Sequence, residues 1–158
     1  MKNPAVVEKL QVRYQHLDTY GHVNNAVPPI FFESARMAYF RTLAERLELG
    51  PLEAGDILEA RYVLAEVKLR YRAPIYLEDT LFCGISVHSV GRRSFTWYYE
   101  LRAGESYREG RLVAEGSSAQ VFLDSKTEEI RPRSEWFLPA VAELEGRSEE
   151  SFVPEGGR

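Results

Sequence analysis

The chain has 158 residues, 44% of them hydrophobic, with 20 basic and 24 acidic side chains and a formal charge of -4. That is enough for one domain-sized core, since a chain of about 150 residues buries roughly 70% of the surface its unfolded form exposes. The charge lacks the basic excess that phosphate-backbone binding calls for, no run reaches the ~20 apolar residues that span a bilayer, and the single cysteine, Cys83, excludes an internal disulfide and a Cys-rich zinc site. A cytoplasmic protein with no nucleic-acid partner and no membrane span is expected.

Val6 to Tyr14 alternates, with Val6, Leu10, Val12 and Tyr14 on one face and Glu8 interrupting it, and reads as a strand. A polar, turn-prone segment from His16 to Asn25 follows. From Ile30 to Leu49 there is no Gly or Pro, and Phe32, Ala35, Tyr39, Leu43 and Leu47 recur at helical spacing, with Phe31, Met37, Ala38, Phe40 and Ala44 widening the stripe. A helix apolar over most of its circumference is one wrapped by other structure. Gly50-Pro51 ends it.

Four strands are expected beyond a Gly-containing connection. Arg61 to Arg72 puts Val63, Ala65, Val67, Leu69 and Tyr71 on one face; Leu81, Cys83, Ile85 and Val87 form the next set, then Phe95, Trp97, Tyr99 and Leu101; Arg111 to Leu123 closes the series, with a bulge expected near Gly116. Ser89 to Arg92 and Gly104-Glu105 supply turns. Consecutive strands with short links are antiparallel, so the expectation is an α+β domain in which five antiparallel strands wrap one long central helix. We take residues 1–140 as a single domain and the Glu-rich 141–158 as a frayed tail.

Chemistry concentrates between His16 and Asn25. Asp18-Thr19-Tyr20-Gly21 has the pattern of a type I turn, and Asn24 or Asn25 is a ready helix cap. The same segment opens a helix, whose first N–H groups and positive dipole end suit the oxyanion formed when a carbonyl is attacked, with Asp18 a few residues upstream. Pro28-Pro29 have no N–H, which leaves the amides of Asn24, Asn25, Ala26 and Val27 as donors.

Val12-Arg13-Tyr14, Asp18, Gly21-His22-Val23-Asn24-Asn25-Ala26, Phe32-Glu33, Ala35-Arg36 and Tyr39 closely resemble the start of hotdog-fold acyl-CoA thioesterases of the 4-hydroxybenzoyl-CoA thioesterase-like group. The resemblance continues through Val67-Lys68-Leu69-Arg70-Tyr71, Ala73-Pro74 and Gly91-Arg92-Arg93-Ser94-Phe95. It implies a thioester hydrolase in which Asp18 is nucleophile or general base and the Asn25 amide polarises the thioester carbonyl. Pro28-Pro29 departs from the pattern of the group, so no acyl preference carries over. The resemblance also implies dimers formed through sheet edges, often paired into tetramers, with active sites at the interface.

His22 is a candidate for orienting Asp18 or lining the pocket and equally suits a histidine packed against neighbouring strands; Asn24 is a candidate for contacting substrate, while Arg70, Arg72, Arg92 and Arg93 are candidates for the coenzyme A phosphates. Each of these arginines equally suits a solvated strand face or hairpin tip. Glu33 and Arg36 suggest an i,i+3 pair, His16 and His88 look structural or exposed, and Cys83 looks inert. No metal and no cofactor are expected, coenzyme A being part of the substrate. The rival readings are a hotdog hydratase or dehydratase and a non-catalytic acyl-CoA-binding module.

Overall fold

The structure is a computed structural model and describes residues 3–48 and 61–154. Its elements are β1 (Val6–Gln11), a 3-10 turn (Tyr14–His16), α1 (Pro28–Arg46), β2 (Arg61–Tyr71), β3 (Thr80–Val90), β4 (Ser94–Ala103), β5 (Arg111–Leu123), α2 (Phe137–Glu145) and a second 3-10 turn (Glu149–Phe152). The five strands form one antiparallel sheet in the order β1-β3-β4-β5-β2, with Val6 of β1 opposite Ile85 of β3. The helix stop expected at Gly50-Pro51 and the connection after it lie outside the described residues.

β1 is shorter than its alternation suggested, because the chain turns at Tyr14–His16 and leaves Tyr14 exposed. α1 begins two residues before Ile30, with both prolines in its first turn, where an N–H would have no intrahelical partner. Phe31, Phe32, Ala35, Ala38, Tyr39, Phe40, Leu43 and Ala44 are all buried, as the broad apolar stripe required. The expected Glu33–Arg36 pair does not form. Glu33 faces solvent, whereas Arg36 is buried and its Nη1 donates to Tyr99 Oη at 3.2 Å.

The contacts group into two compact units. In the first (1–39, 68–85 and 99–116), the Phe32 and Tyr99 rings stack at 4.3 Å. There the buried Glu100 carboxylate accepts from Arg102 at 2.9 Å and from the Tyr107 hydroxyl at 3.2 Å. Burial and the charge of Glu100 push the Tyr107 phenol above its ordinary pKa. Gly116 was expected to mark a bulge; its absent side chain answers to close backbone approach, since a Cβ would sit 2.4 Å from the Lys68 carbonyl oxygen and 3.0 Å from the Phe32 ring.

In the second unit (40–67, 86–98 and 117–158), Phe95 gathers Trp97, Phe122, Phe137 and Tyr62 within 5.0 to 5.6 Å. Phe95 and Trp97 are thus core residues of this unit, as Tyr99 is of the first. The expectation of a frayed tail over 141–158 is corrected for the described residues 141–154. α2 buries Leu138, Val141 and Leu144 and ends at Gly146 in the left-handed conformation (φ 61°). Phe152 is also buried, with the Arg147 guanidinium 4.0 Å above its ring.

β2 departs most from expectation. Val63, Val67 and Tyr71, taken for the covered face, are 43%, 39% and 50% exposed, and Leu64 on the opposite face is 50% exposed. β2 is the last strand of the sheet, with one edge unpaired. An apolar, open edge strand is a site for strand-to-strand association.

Candidate active site

The segment from His16 to Asn25 is tied down by its own backbone. Leu17 and Val23 form an isolated antiparallel bridge, Asp18 N–H donates to His22 O at 3.0 Å, and Gly21 N–H returns to Asp18 O at 3.2 Å. Gly21 has φ 82°, a conformation that side chains resist, so the expected Asp-x-x-Gly turn is present with glycine where it is needed. Asp18 Oδ1 accepts the Tyr20 N–H at 2.8 Å, and its Oδ2 has no partner among the described residues. Asp18 as a residue is half-buried.

Val23 N–H donates to Ile75 O and Asn24 N–H to His16 O, both at 2.8 Å. Asn24 Oδ1 accepts Ala26 N–H at 2.8 Å, and Asn24 O accepts Val27 N–H at 2.9 Å. Of the four amides left by the prolines, three are therefore engaged. The Asn25 N–H alone takes no partner among the described residues. Asn24, a candidate for substrate contact, shapes the loop that leaves its neighbour's amide open.

Asn25 lines a cleft of about 320 Å³ together with His22, Val23, Pro28, Tyr71, Arg72, Ala73, Pro74, Ile75 and Val113. Its walls are mainly apolar, with a few polar groups that fix orientation, as small-molecule clefts usually are. Asp18 is not part of the lining. The His22 ring stacks on Tyr20 (6.4 Å, 15°) and meets Tyr76 edge-on at 5.9 Å, without a side-chain hydrogen bond among the described residues. His16 is structural. Its Nδ1 accepts the Arg13 N–H at 3.0 Å, and burial followed by the Arg13 charge lowers its pKa from 6.5.

A clamp holds the far wall of the cleft. Asp79 Oδ2 accepts the Tyr76 N–H at 2.8 Å and an Arg111 N–H at 2.6 Å, and Arg111 also donates to Pro74 O at 2.9 Å. Sequence reasoning missed Tyr71 altogether as a site residue. Its hydroxyl donates to Asn25 O at 2.6 Å across 46 positions.

The phosphate candidates divide. Arg72 lines the cleft but is bonded through Nε and Nη2 to Glu115 Oε1, which Arg70 approaches at 3.9 Å; these two are ion-paired rather than free. Arg92 and Arg93 are exposed at the tip of the β3–β4 hairpin in the second unit. Phe122 N–H donates to Arg93 O and Arg133 N–H to Arg92 O, so the Arg133 main chain lies beside Arg92, while the Arg131 guanidinium donates to Pro132 O and Ser134 Oγ, both at 3.2 Å. Burial raises the Cys83 pKa, leaving a neutral thiol as expected. Among the described residues no three His, Cys, Asp or Glu side chains are grouped to hold a metal, and no helix is long and apolar enough to cross a membrane.

The family model of the thioesterase superfamily matches residues 20–109, more than half of the chain. The chain belongs to this superfamily of thioester hydrolases, and its α+β architecture is the hotdog fold. Asp18 lies just before the matched stretch. The chain is similar to a thioesterase from Thermus thermophilus, solved in complex with coenzyme A and zinc, with 30% identity, a TM-score of 0.75, and 94% of this chain and 100% of that one covered. A putative thioesterase from Pseudomonas aeruginosa (24% identity, TM-score 0.71, 89% and 100% covered) and a DHNA-CoA thioesterase from Staphylococcus aureus (17%, 0.65, 87% and 86%) share the fold. Among curated proteins, an uncharacterized protein of Bacillus subtilis (strain 168), YsmA, is 29% identical over 91 residues; the match takes in 58% of this chain and 56% of that relative's length.

Proposed function

We propose that the protein hydrolyses acyl-CoA thioesters to a free acid and coenzyme A. The observation that carries this reading is the Asn25 N–H, an unpaired donor at an apolar cleft beside the start of α1, where negative charge developing on a thioester oxygen would be stabilised. Asp18 supplies the carboxylate through its free Oδ2. As nucleophile it attacks the thioester carbon, the C–S bond breaks, the thiolate leaves and takes a proton from solvent, and water opens the resulting mixed anhydride. As general base it takes a proton from the water that attacks instead. His22 forms one wall of the site.

Arg92 and Arg93 would take the coenzyme A phosphates. We further propose a homodimer through the open β2 edge, two of which pair into a homotetramer. A second copy would bury the exposed apolar residues of β2, and a site completed across an interface accounts for an Asp18 that does not line the cleft of one chain. The thioesterase in the coenzyme A complex supports the choice of carrier by likeness. The single buried cysteine suits a reducing cytoplasm.

The engagement of Asp18 Oδ1 by its own turn favours a second reading, a non-catalytic acyl-CoA-binding module. A panel of short, long, branched and aromatic acyl-CoA substrates, read by thiol release, separates the two. Catalytic release from at least one supports hydrolysis; binding without any release supports the module.

A further inference from the structure

We propose that Tyr71 is a positioning residue for the Asn25 amide, an inference that rests on the thioesterase reading above. Tyr71 ends β2 and is half exposed in the single chain, so its hydroxyl contributes little to the packing of that chain's own core. That hydroxyl donates to Asn25 O at 2.6 Å, and both residues line the same cleft.

The need for such a strut follows from the prolines. A helix ordinarily steadies its entry through first-turn N–H groups that take capping bonds, and Pro28 and Pro29 have none. Upstream, residue 25 is held by the Asn24 turn: Asn24 N–H on His16 O, and Asn24 oxygens on the Ala26 and Val27 amides. Downstream, the Tyr71 hydroxyl is what the Asn25 carbonyl receives among the described residues. Fixing that carbonyl limits rotation about residue 25 and keeps its free N–H aimed at one point. An oxyanion donor works only if it is aimed before the charge appears, so the effect belongs to the transition state rather than to substrate binding.

The test is Tyr71→Phe, which removes the hydroxyl and keeps the ring. Steady-state thiol release, thermal unfolding, and the Asn25 amide signal by 15N NMR are measured in the variant and the parent. We expect kcat to fall about tenfold, the size of one lost hydrogen bond felt in the transition state, with KM unchanged, the unfolding temperature lowered by no more than a few degrees, and the Asn25 signal shifted or broadened. A variant with the parent's kcat, or one whose KM rises while kcat stands, overturns the positioning role and leaves the thioesterase reading intact. A parent that releases no thiol from any substrate overturns that reading and this role with it. An Asn25 signal identical in both proteins rejects the strut whatever the activity.

Discussion

Asp18 Oδ1 accepts the Tyr20 N–H at 2.8 Å, so the carboxylate proposed for catalysis also closes the turn on which it stands. The two duties separate by mutation. An asparagine side chain offers an oxygen in the same place, whereas alanine offers none. Asp18→Asn should therefore unfold at the parent's denaturant midpoint, and Asp18→Ala should lose about 1 kcal/mol, the usual worth of such a bond. Equal destabilisation of both variants in urea titrations would show that charge, not the turn bond, holds this segment.

Gly84 lies under the Tyr107 ring, where a Cβ would fall 2.5 Å from a ring carbon. The ring is buried and its hydroxyl is tied to Glu100, so it has little room to retreat. Gly84→Ala should destabilise by about 1–3 kcal/mol through overpacking, read by chemical denaturation. A neutral result would mean that the 104–110 loop moves freely.

Much of this was legible in the sequence, for identifiable reasons. β3 and β4 bury Leu81, Cys83, Ile85, Phe95, Trp97 and Leu101, as their alternation requires. The same reasoning failed on β2, because alternation tells which residues share a face but not whether anything covers it. α2 went unread: it has only nine residues and carries Pro139 near its start, which looks like a breaker although the first turn tolerates it. Phe152 is a lone aromatic in a Glu-rich stretch, and only the folded chain shows its burial under Arg147. At the site, the Asp18 to Asn25 block was visible as a motif, and the Asp18 turn was visible as a turn. Tyr71 stood in the Val67 to Tyr71 stretch of the resemblance but without a role, because its partner lies 46 residues away.

The lowered pKa of His16 gives a pH dependence of known sign. Burial and the Arg13 charge disfavour its protonated form in the folded state, so the unfolded chain takes up the proton first as pH falls. The full stability contribution is present above the unfolded value of 6.5 and declines as pH drops from there through the lower folded pKa. An NMR titration should place the His16 midpoint below 6.5 in the native protein, with the Arg13 amide losing protection, relative to its intrinsic exchange rate, as His16 protonates. A midpoint at or above 6.5 would contradict the arrangement around Nδ1.

The open edge of β2 sets the expectation for assembly. At micromolar concentration, light scattering should give at least a dimer, and Val67→Lys, which puts a charge on the exposed apolar strand, should shift the mass toward monomer. A parent protein that scatters as a monomer would remove the interface from the account.

The most direct measurement is the initial rate of thiol release from the best acyl-CoA substrate by the parent and by Asp18→Asn, each confirmed folded. A carboxylate that attacks the thioester or activates water cannot be replaced by an amide, so the rate should fall by about three powers of ten or more while the fold persists. An Asp18→Asn protein that keeps its rate within a few-fold of the parent would show that the chemistry is carried elsewhere.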